Sequence, residues 1–395
     1  MKKIEIYSKE WCPYCTKAKM LLRGKGLEYE EKDTTSDADM EQEMIERSGR
    51  RSVPQIFIDD KSVGGYDDLA RLNSSGELDK QLGLETETVV DQVYDVAVVG
   101  AGPAGMSAAI YASRKNLSTL LVTSDIGGQV GTTNEIANYP GIKSITGPQL
   151  VENFEQHMSD YEVDRLVGEL VTGISIKERC KILSTESGRK LHARSVIIAT
   201  GAVKRKLNIP GEVELAGRGV VYCSTCDGPL FKDMNIAIVG GGNSGLEAAI
   251  EMDGIAKKVY LLSRGALNGD QILQDKLEAA KNVEVLDFHD PVEITGAGKV
   301  EGLTIKNNKS DDTRALVVDG VFIEVGLFPN SGLALDLLDT NTRGEVTIDS
   351  HGHTGVSGIF AAGDVTDIHD KQIIIAAGAG ANAALAAFEY LVTRQ

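Results

Sequence analysis

Two stretches of the chain carry the same pattern, an apolar strand-like run ending in G-x-G-x-x-G. The first is Val93-Tyr94-Asp95-Val96-Ala97-Val98-Val99 leading into Gly100-Ala101-Gly102-Pro103-Ala104-Gly105. The second is Ile236-Ala237-Ile238-Val239 leading into Gly240-Gly241-Gly242-Asn243-Ser244-Gly245. Glycines at this spacing let a strand turn sharply into a helix and let backbone amides at the helix start approach a pyrophosphate. Two such turns commit most of the chain to α/β architecture with parallel strands. With 395 residues there is length for two or three domains, each with its own core.

The first turn gains weight from two distant pieces. Ala199-Thr200-Gly201 follows the strand Ser195–Ile198, and Ala361-Ala362-Gly363-Asp364 follows Gly358-Ile359-Phe360. Three pieces separated in this way look like a flavin-adenine dinucleotide (FAD) domain split by an insert. The division expected is 1–84 and a linker at 85–92, then 93–208 with 329–395 as the split FAD-binding domain. Residues 209–328 form an inserted NAD(P)-binding domain. The fold class is therefore α/β with two nested Rossmann-like domains behind a smaller N-terminal one.

Charge and cysteine usage narrow the chemistry. A formal charge of −17 argues against nucleic acid or an anionic membrane as partner. Four of the five cysteines form C-x-x-C pairs, Cys12/Cys15 and Cys223/Cys226. That is no secreted disulfide framework, and the pairs lie too far apart, in different strand–helix contexts, to suggest a shared zinc, so no metal is expected. Cys180 stands alone and reads as an inert thiol. Met1-Lys2-Lys3 runs directly into Ile4-Glu5-Ile6-Tyr7 without a signal segment. Ile373 to Val392 is apolar enough to span a bilayer, but Asn382, Glu389 and its Ala/Gly content point to a buried closing helix and a cytoplasmic protein.

Residues 1–84 read β-α-β-(α)-β-β-α. Cys12 opens a helix whose first position holds Pro13, where a missing N–H costs nothing. The helix start favours a thiolate at Cys12 by up to ~2 kcal/mol, or roughly 1.5 pKa units, and Lys9 adds a nearby cation. Cys12 thus reads as nucleophile and Cys15 as resolving thiol. With Cys12-Pro13-Tyr14-Cys15, Val53-Pro54 and Gly64-Gly65 before Asp67-Asp68, this segment resembles the glutaredoxins, which have a thioredoxin fold. The resemblance implies that Lys9, Tyr14, Val53, Pro54, Asp67 and Asp68 hold a glutathionyl group or protein partner. The alternative for Asp67-Asp68 is capping of a helix over Leu69–Asn73. The polar stretch Gly83–Gln92 reads as a tether; ten flexible residues reach about 16–19 Å on average and about 35 Å when taut.

In the inserted domain, Cys223-Ser224-Thr225-Cys226-Asp227 precedes the second glycine turn. With Gly127-Gly128-Gln129, residues 93–395 resemble the low-molecular-weight thioredoxin reductases. They are similar still more closely to the flavoprotein subunit of alkyl hydroperoxide reductase. The matching runs are Cys226-Asp227-Gly228-Pro229-Leu230-Phe231-Lys232, Gly240–Gly245 with Glu247-Ala248-Ala249-Ile250, Gln274-Asp275-Lys276-Leu277 and Lys371-Gln372-Ile373-Ile374-Ile375. The departure is at the front, where that flavoprotein has a doubled thioredoxin-fold module and this chain a single glutaredoxin.

The resemblance implies an NAD(P)H-dependent, FAD-dependent disulfide oxidoreductase, catalysing through Cys223, Cys226, Asp227, Cys12 and Cys15. Cys226 would face the flavin, Cys223 would exchange outward, and Asp227 would protonate the leaving sulfur. FAD would be held by Gly100, Gly102, Ala104, Gly105, Gly128, Gln129, Asn138, Ala199, Thr200, Gly201, Gly363, Asp364, Lys371, Gln372 and Ile373. The nicotinamide would be held by Gly240, Gly242, Asn243, Ser244, Gly245, Glu247, Ser263 and Arg264. Arg264 leans to NADPH and the remaining similarity to NADH. Electrons would run from NAD(P)H to FAD, Cys223/Cys226, Cys12/Cys15 and then a peroxiredoxin, in a homodimer. A second reading has the glutaredoxin part reduce glutathionylated or other protein disulfides directly. A third, a redox sensor or Fe–S-binding glutaredoxin fusion, leaves Cys223, Cys226 and the second glycine turn without purpose.

Overall fold

The computed structural model describes residues 2–9, 12–74, 77–83, 92–133 and 135–393. Nearly all of the expected tether, 85–92, lies outside the described residues. The chain divides into two compact units, one of residues 1–202 and 329–395 and one of residues 203–328. The chain passes between them within two short strands, β11 (Ala202–Lys204) and β20 (Leu327–Pro329). Residues 203–208 thus fall with the second unit.

The first unit begins with a thioredoxin fold. Strands β1 (Ile4–Ser8), β2 (Glu30–Asp33), β3 (Gln55–Ile58) and β4 (Lys61–Gly64) form a sheet in the order β2-β1-β3-β4, with β1 parallel to β2 and the others antiparallel. Helices α1 (Pro13–Gly24), α2 (Ala38–Ser48), α3 (Tyr66–Ser74) and α4 (Glu77–Leu82) accompany it. The Val53–Pro54 peptide is cis. Glu5 is 2% exposed yet bonded by three cations: Arg47 Nη2 at 3.0 Å, Lys32 Nζ at 3.0 Å and Lys3 Nζ at 3.2 Å. Arg47 first, then Lys32 and Lys3, hold its carboxyl down to about 2 against the opposing effect of burial.

The rest of the first unit is built on β5 (Val93–Ala101), β6 (Thr119–Ile126), β7 (Val163–Val167), β8 (Val171–Lys177), β9 (Cys180–Thr185) and β10 (Lys190–Ile198), in the order β7-β6-β5-β10-β9-β8. Strand β21 (Ile359–Ala361) pairs with β10 in parallel. Alternation sends Val96 and Val98 of β5 into one core, Ala97 and Val99 into another. A parallel strand buried on both faces needs that continuous apolar run. Helices α5 (Pro103–Arg114), α6 (Gly147–Ser159) and α10 (Ile373–Thr393) cover the sheet. The last is the one helix among the described residues long and apolar enough to cross a membrane. It packs on α5 so closely that a Cβ on Gly380 would collide with the Ala104 carbonyl.

Helix α1 of the glutaredoxin part lies against this second layer. Met20 belongs to the core that contains Ala101, Ile126 and Val130, and Lys17 pairs with Asp125 at 3.5 Å.

The second unit holds β12 (Val220–Val221), β13 (Asn235–Val239), β14 (Lys258–Ser263), β15 (Val283–Asp287) and β19 (Gly320–Ile323), all parallel in the order β12-β19-β13-β14-β15. An antiparallel sheet of β16 (His289–Thr295), β17 (Gly302–Asn307) and β18 (Thr313–Val317) adjoins it. Helices α7 (Ser224–Asp227), α8 (Asn243–Asp253) and α9 (Gln271–Glu278) complete the unit. Here too β13 divides its side chains, Ala237 and Val239 to one core and Ile236 and Ile238 to the other.

The Glu5 cluster gives a test of the N-terminal fold. Removing the carboxylate charge leaves three cations crowded together, so Glu5→Gln should destabilise this part by about 3 kcal/mol. Because the folded carboxyl lies below its unfolded value, the stabilisation is present above about pH 4.5 and fades as pH falls towards 2. Urea unfolding followed by the fluorescence of the single tryptophan, Trp11, at pH 7 and pH 3 should show the wild-type advantage shrinking in acid.

Candidate active site

Both glycine turns have the geometry their spacing predicts. Gly100 has φ +105°, and a Cβ there would meet the Ala199 carbonyl; one on Gly105 would overlap the Gly100 carbonyl. A Cβ on Gly102, by contrast, would meet nothing within 4 Å, and no side chain caps α5. The second turn repeats this: Gly240 has φ +151°, Gly245 abuts the Gly240 carbonyl, and Gly242 leaves α8 uncapped. Two uncapped helix starts, the first open at Gly102 and the second with Asn268 Oδ1 3.6 Å from where a Gly242 Cβ would sit, fit two dinucleotide pyrophosphates.

The separated flavin-side pieces converge in the first unit. Gly128 lies beside Gly102, with an added Cβ only 3.8 Å from its Cα. Gln129 Nε2 donates to Asp364 Oδ2 at 3.3 Å, and Asn138 Nδ2 to Gln372 Oε1 at 3.2 Å. Gly363 backs onto Ala104, and Ala199 sits over Gly100. Thr200 and Gly201 are tied to Asn330, through Thr200 Oγ1 to its carbonyl at 2.8 Å and the Gly201 carbonyl from its amide at 2.9 Å. Lys371 departs from the expected pattern: its Nζ turns to Glu345 Oε1 at 3.0 Å and to the Thr366 carbonyl. Its neighbour Ile373 begins α10.

In the second unit, Asn243 and Asp270 exchange hydrogen bonds of 3.0 and 2.8 Å beside the turn, and Gly241 packs against Ser263. Ser244 and Glu247 lie in the first two turns of α8. Arg264 is exposed and bonds Asp290 through Nε at 2.7 Å, so an acid already stands beside the cation expected to choose between nicotinamides.

The two cysteine pairs are built alike. Cys12 and Cys15 form a disulfide with Cα atoms 5.2 Å apart, and Cys223 and Cys226 another at 5.3 Å. Each leading cysteine caps a helix: Cys15 N–H donates to Cys12 Sγ at 3.1 Å, and Cys226 N–H to Cys223 Sγ at 3.1 Å. Cys226 is exposed and Cys223 half-buried. Burial pushes the carboxyl of Asp227 up, with Lys204 opposing. Cys180 is a free, half-buried thiol.

The outer pair is less open than a nucleophile would suggest. Cys12 is 4% exposed and Cys15 fully buried. Cys12 borders a cavity of about 540 Å³ whose other walls include Thr132, Thr133 and Gln149, outside the glutaredoxin part. Lys9 is paired with Glu41 at 3.0 Å, while Tyr14 is exposed and tilted against Tyr66. Asp67 and Asp68 fall inside the first turn of α3, which starts three residues before Leu69. Asp68 folds back onto the Gly65 amide at 3.1 Å and pairs with Arg50 and Arg71, each at 2.8 Å.

Sequence reasoning missed a half-buried acid. Glu324, just past β19, accepts the Ser224 amide at 3.2 Å, and Ser224 Oγ donates to Glu251 at 2.9 Å. An acid closing the apolar run Gly320-Val321-Phe322-Ile323 was the available signal.

Comparison with known proteins agrees with this geometry. Residues 94–386 match the pyridine nucleotide-disulphide oxidoreductase model, and residues 4–63 match glutaredoxin. The chain belongs to the pyridine nucleotide-disulphide oxidoreductase family. The F subunit of alkyl hydroperoxide reductase in Staphylococcus aureus (strain MRSA252) is 41% identical over 347 residues, covering 86% of this chain and 67% of that one. Its Staphylococcus epidermidis counterpart is 40% identical over the same shares. Thioredoxin reductase from Streptococcus pyogenes superposes with a TM-score of 0.72 at 39% identity, over 76% of this chain and 99% of its own. That from Giardia duodenalis gives 0.73 at 32% identity, over 76% and 100%. This oxidoreductase is an FAD-dependent, NAD(P)H-dependent flavoprotein disulfide reductase, and its acceptor is of the disulfide-protein kind.

Two outcomes follow from this geometry. Gly240→Ala pushes a Cβ into the Glu324 carbonyl, so it should weaken nicotinamide binding by at least about tenfold while flavin content stays at the wild-type level. Nicotinamide titration of the purified yellow protein checks this. Met20→Glu puts a charge where α1 meets its neighbouring core, so reduction of Cys12–Cys15 by dithiothreitol should quicken by about tenfold. Stopped-flow Trp11 fluorescence would follow it, and an unchanged rate would mean that packing does not shield the disulfide.

Proposed function

We propose that the chain is a self-contained electron relay running from NAD(P)H to FAD, then to Cys223/Cys226, Cys12/Cys15 and a peroxiredoxin disulfide. The observation that supports it best is the matched construction of the two disulfides, each on a helix-capping cysteine. FAD held by these residues would supply the two-electron chemistry that links the nicotinamide to the Cys223–Cys226 disulfide. On the FAD side the proposed ligands are the glycine clearing at Gly100, Gly102, Ala104 and Gly105, with Gly128, Gln129, Asn138, Ala199, Thr200, Gly201, Gly363, Asp364, Gln372 and Ile373. Lys371 contributes through its backbone, since its ammonium is engaged by Glu345. On the nicotinamide side they are Gly240, Gly242, Asn243, Ser244, Gly245, Glu247, Ser263 and Arg264.

Asp227 supplies the proton to the leaving sulfur of the inner pair; burial raises its carboxyl and so favours the protonated form. Cys223 as thiolate then attacks Cys12, forming a Cys223–Cys12 bond and releasing Cys15, which takes up a proton. Cys226 attacks Cys223 in turn, which re-forms the inner disulfide and leaves Cys12 and Cys15 reduced. Typical thioredoxin-type pairs near −270 mV and glutaredoxin pairs at about −200 to −230 mV make this downhill by roughly 2–3 kcal/mol.

The inner thiols and the nicotinamide turn share one unit. Both must reach the flavin, so they take turns by rotation about hinges at Lys206–Pro210 and Gly326–Asn330. The outer pair must also be uncovered before each exchange, because Cys12 is buried. The names of the staphylococcal relatives place a hydroperoxide at the end of their pathway, which favours a peroxiredoxin as acceptor. We further assign a homodimer in the cytoplasm, where nicotinamide is abundant. The second reading, direct reduction of glutathionylated proteins, draws on Tyr14, Val53, Pro54 and Asp67 around Cys12.

Cys12→Ser should abolish peroxide-dependent NAD(P)H oxidation through an added peroxiredoxin while leaving flavin reduction by the nicotinamide at the wild-type rate. Parallel assays with a small mixed disulfide of glutathione separate the two readings. Faster turnover with the glutathione substrate than with the peroxiredoxin would replace the first by the second.

A further inference from the structure

Ser224, between the inner cysteines, is held by two carboxylates that no step of the relay uses. Its amide donates to Glu324 Oε1 at 3.2 Å and its hydroxyl to Glu251 Oε2 at 2.9 Å. Glu324 has little freedom to leave. Its amide bonds the Val239 carbonyl at 2.9 Å, and its own carbonyl presses on Gly240, where no side chain would fit. The charged groups acting on its carboxyl are Glu247 and Glu251 of α8 and Lys204 of β11; Lys204 also acts on Asp227.

The amide that Glu324 takes belongs to the first turn of α7, beneath Cys223. Free amides there would stabilise a thiolate on Cys223, as they do for any cysteine at a helix start. The Cys226 amide does reach Cys223 Sγ at 3.1 Å, and a carboxylate bound to the neighbouring Ser224 amide opposes that effect through its charge. The outer pair differs, for α1 has no acidic residue in its first turn.

We propose that Glu324 is a positioning residue of the inner dithiol, which fixes the turn carrying Cys223 and, as a carboxylate, opposes ionisation of the Cys223 thiol. Reduction breaks the Cys223–Cys226 bond with two electrons, supplied from NAD(P)H in the enzyme, and two protons from solvent. Opposing the thiolate disfavours the reduced pair, so the inner dithiol becomes the stronger reductant. An acid bound to the helix turn of the donor thiol, with no acid in the first turn of α1, biases electron flow outward. Burial pushes the Glu324 carboxyl up to about 7, so the restraint strengthens as pH rises through neutrality, where thiols begin to ionise.

The inference deepens the relay reading, in which Cys223 is the exchanging thiol, but its test needs no acceptor. The full-length holoprotein is reduced with a phosphine and alkylated with iodoacetamide from pH 5 to 10, and the Cys223 peptide is quantified by mass spectrometry. In Glu324→Gln the midpoint for Cys223 should fall by about one pH unit, and its alkylation at pH 7 should rise several-fold. Glu324→Asp should restore the wild-type profile in part. Glu324→Ala serves should the Gln variant not retain flavin. A purely structural role predicts lower melting temperatures with superimposable Cys223 profiles, and that result overturns the proposal. Failure of the relay itself would show instead as Cys12–Cys15 staying oxidised in wild-type protein given NAD(P)H, with the Cys223 shift intact.

Discussion

The contact that everything else depends on is backbone against backbone at the two glycine turns. Gly105 lies against the Gly100 carbonyl and Gly245 against the Gly240 carbonyl, closer than any side chain would permit. That approach seats each helix start at the end of its strand and turns its uncapped amides outward. In the second unit the same clamp extends one strand further, because the Glu324 carbonyl covers Gly240 while the Glu324 carboxyl holds Ser224. The second glycine turn and the Cys223–Cys226 segment are thereby linked through a single residue.

Electrostatics then distinguishes two disulfides that share a local geometry. Each leading cysteine accepts the N–H of its partner three residues on. Around Cys223 stand Asp227 and Glu324, both with carboxyls raised by burial. The raised carboxyl of Glu324 implies that folding binds a proton there between about pH 4.5 and 7, so its contribution to stability declines as pH rises across that window. A group kept at such a cost beside a redox centre serves the chemistry better than it serves the fold.

The parts legible in the sequence were those written in backbone conformation. Glycine spacing, Pro13 at a helix start, the Val53–Pro54 loop and the apolar runs of β5 and β13 each constrain neighbouring residues, and the strands and helices formed where these signals stood. Side-chain partnerships between distant segments were not legible. Nothing near Lys371 announces Glu345, nothing near Arg264 announces Asp290, and nothing near Met20 announces Ile126 and Val130. Glu324 escaped for the same reason: its meaning lies in Ser224, one hundred residues away in the chain. The helix expected over Leu69–Asn73 with Asp67 and Asp68 outside it begins instead at Tyr66, so both acids lie in its first turn, where Asp68 accepts the Gly65 amide.

The central claim is that electrons reach the outer dithiol only through the inner one. It is tested most directly by replacing Cys223 and Cys226 together with serine, adding NAD(P)H without oxygen, and trapping the redox state of Cys12 and Cys15 by differential alkylation. The account predicts a bleached flavin with Cys12–Cys15 still oxidised. A fully reduced outer pair in that variant would contradict it.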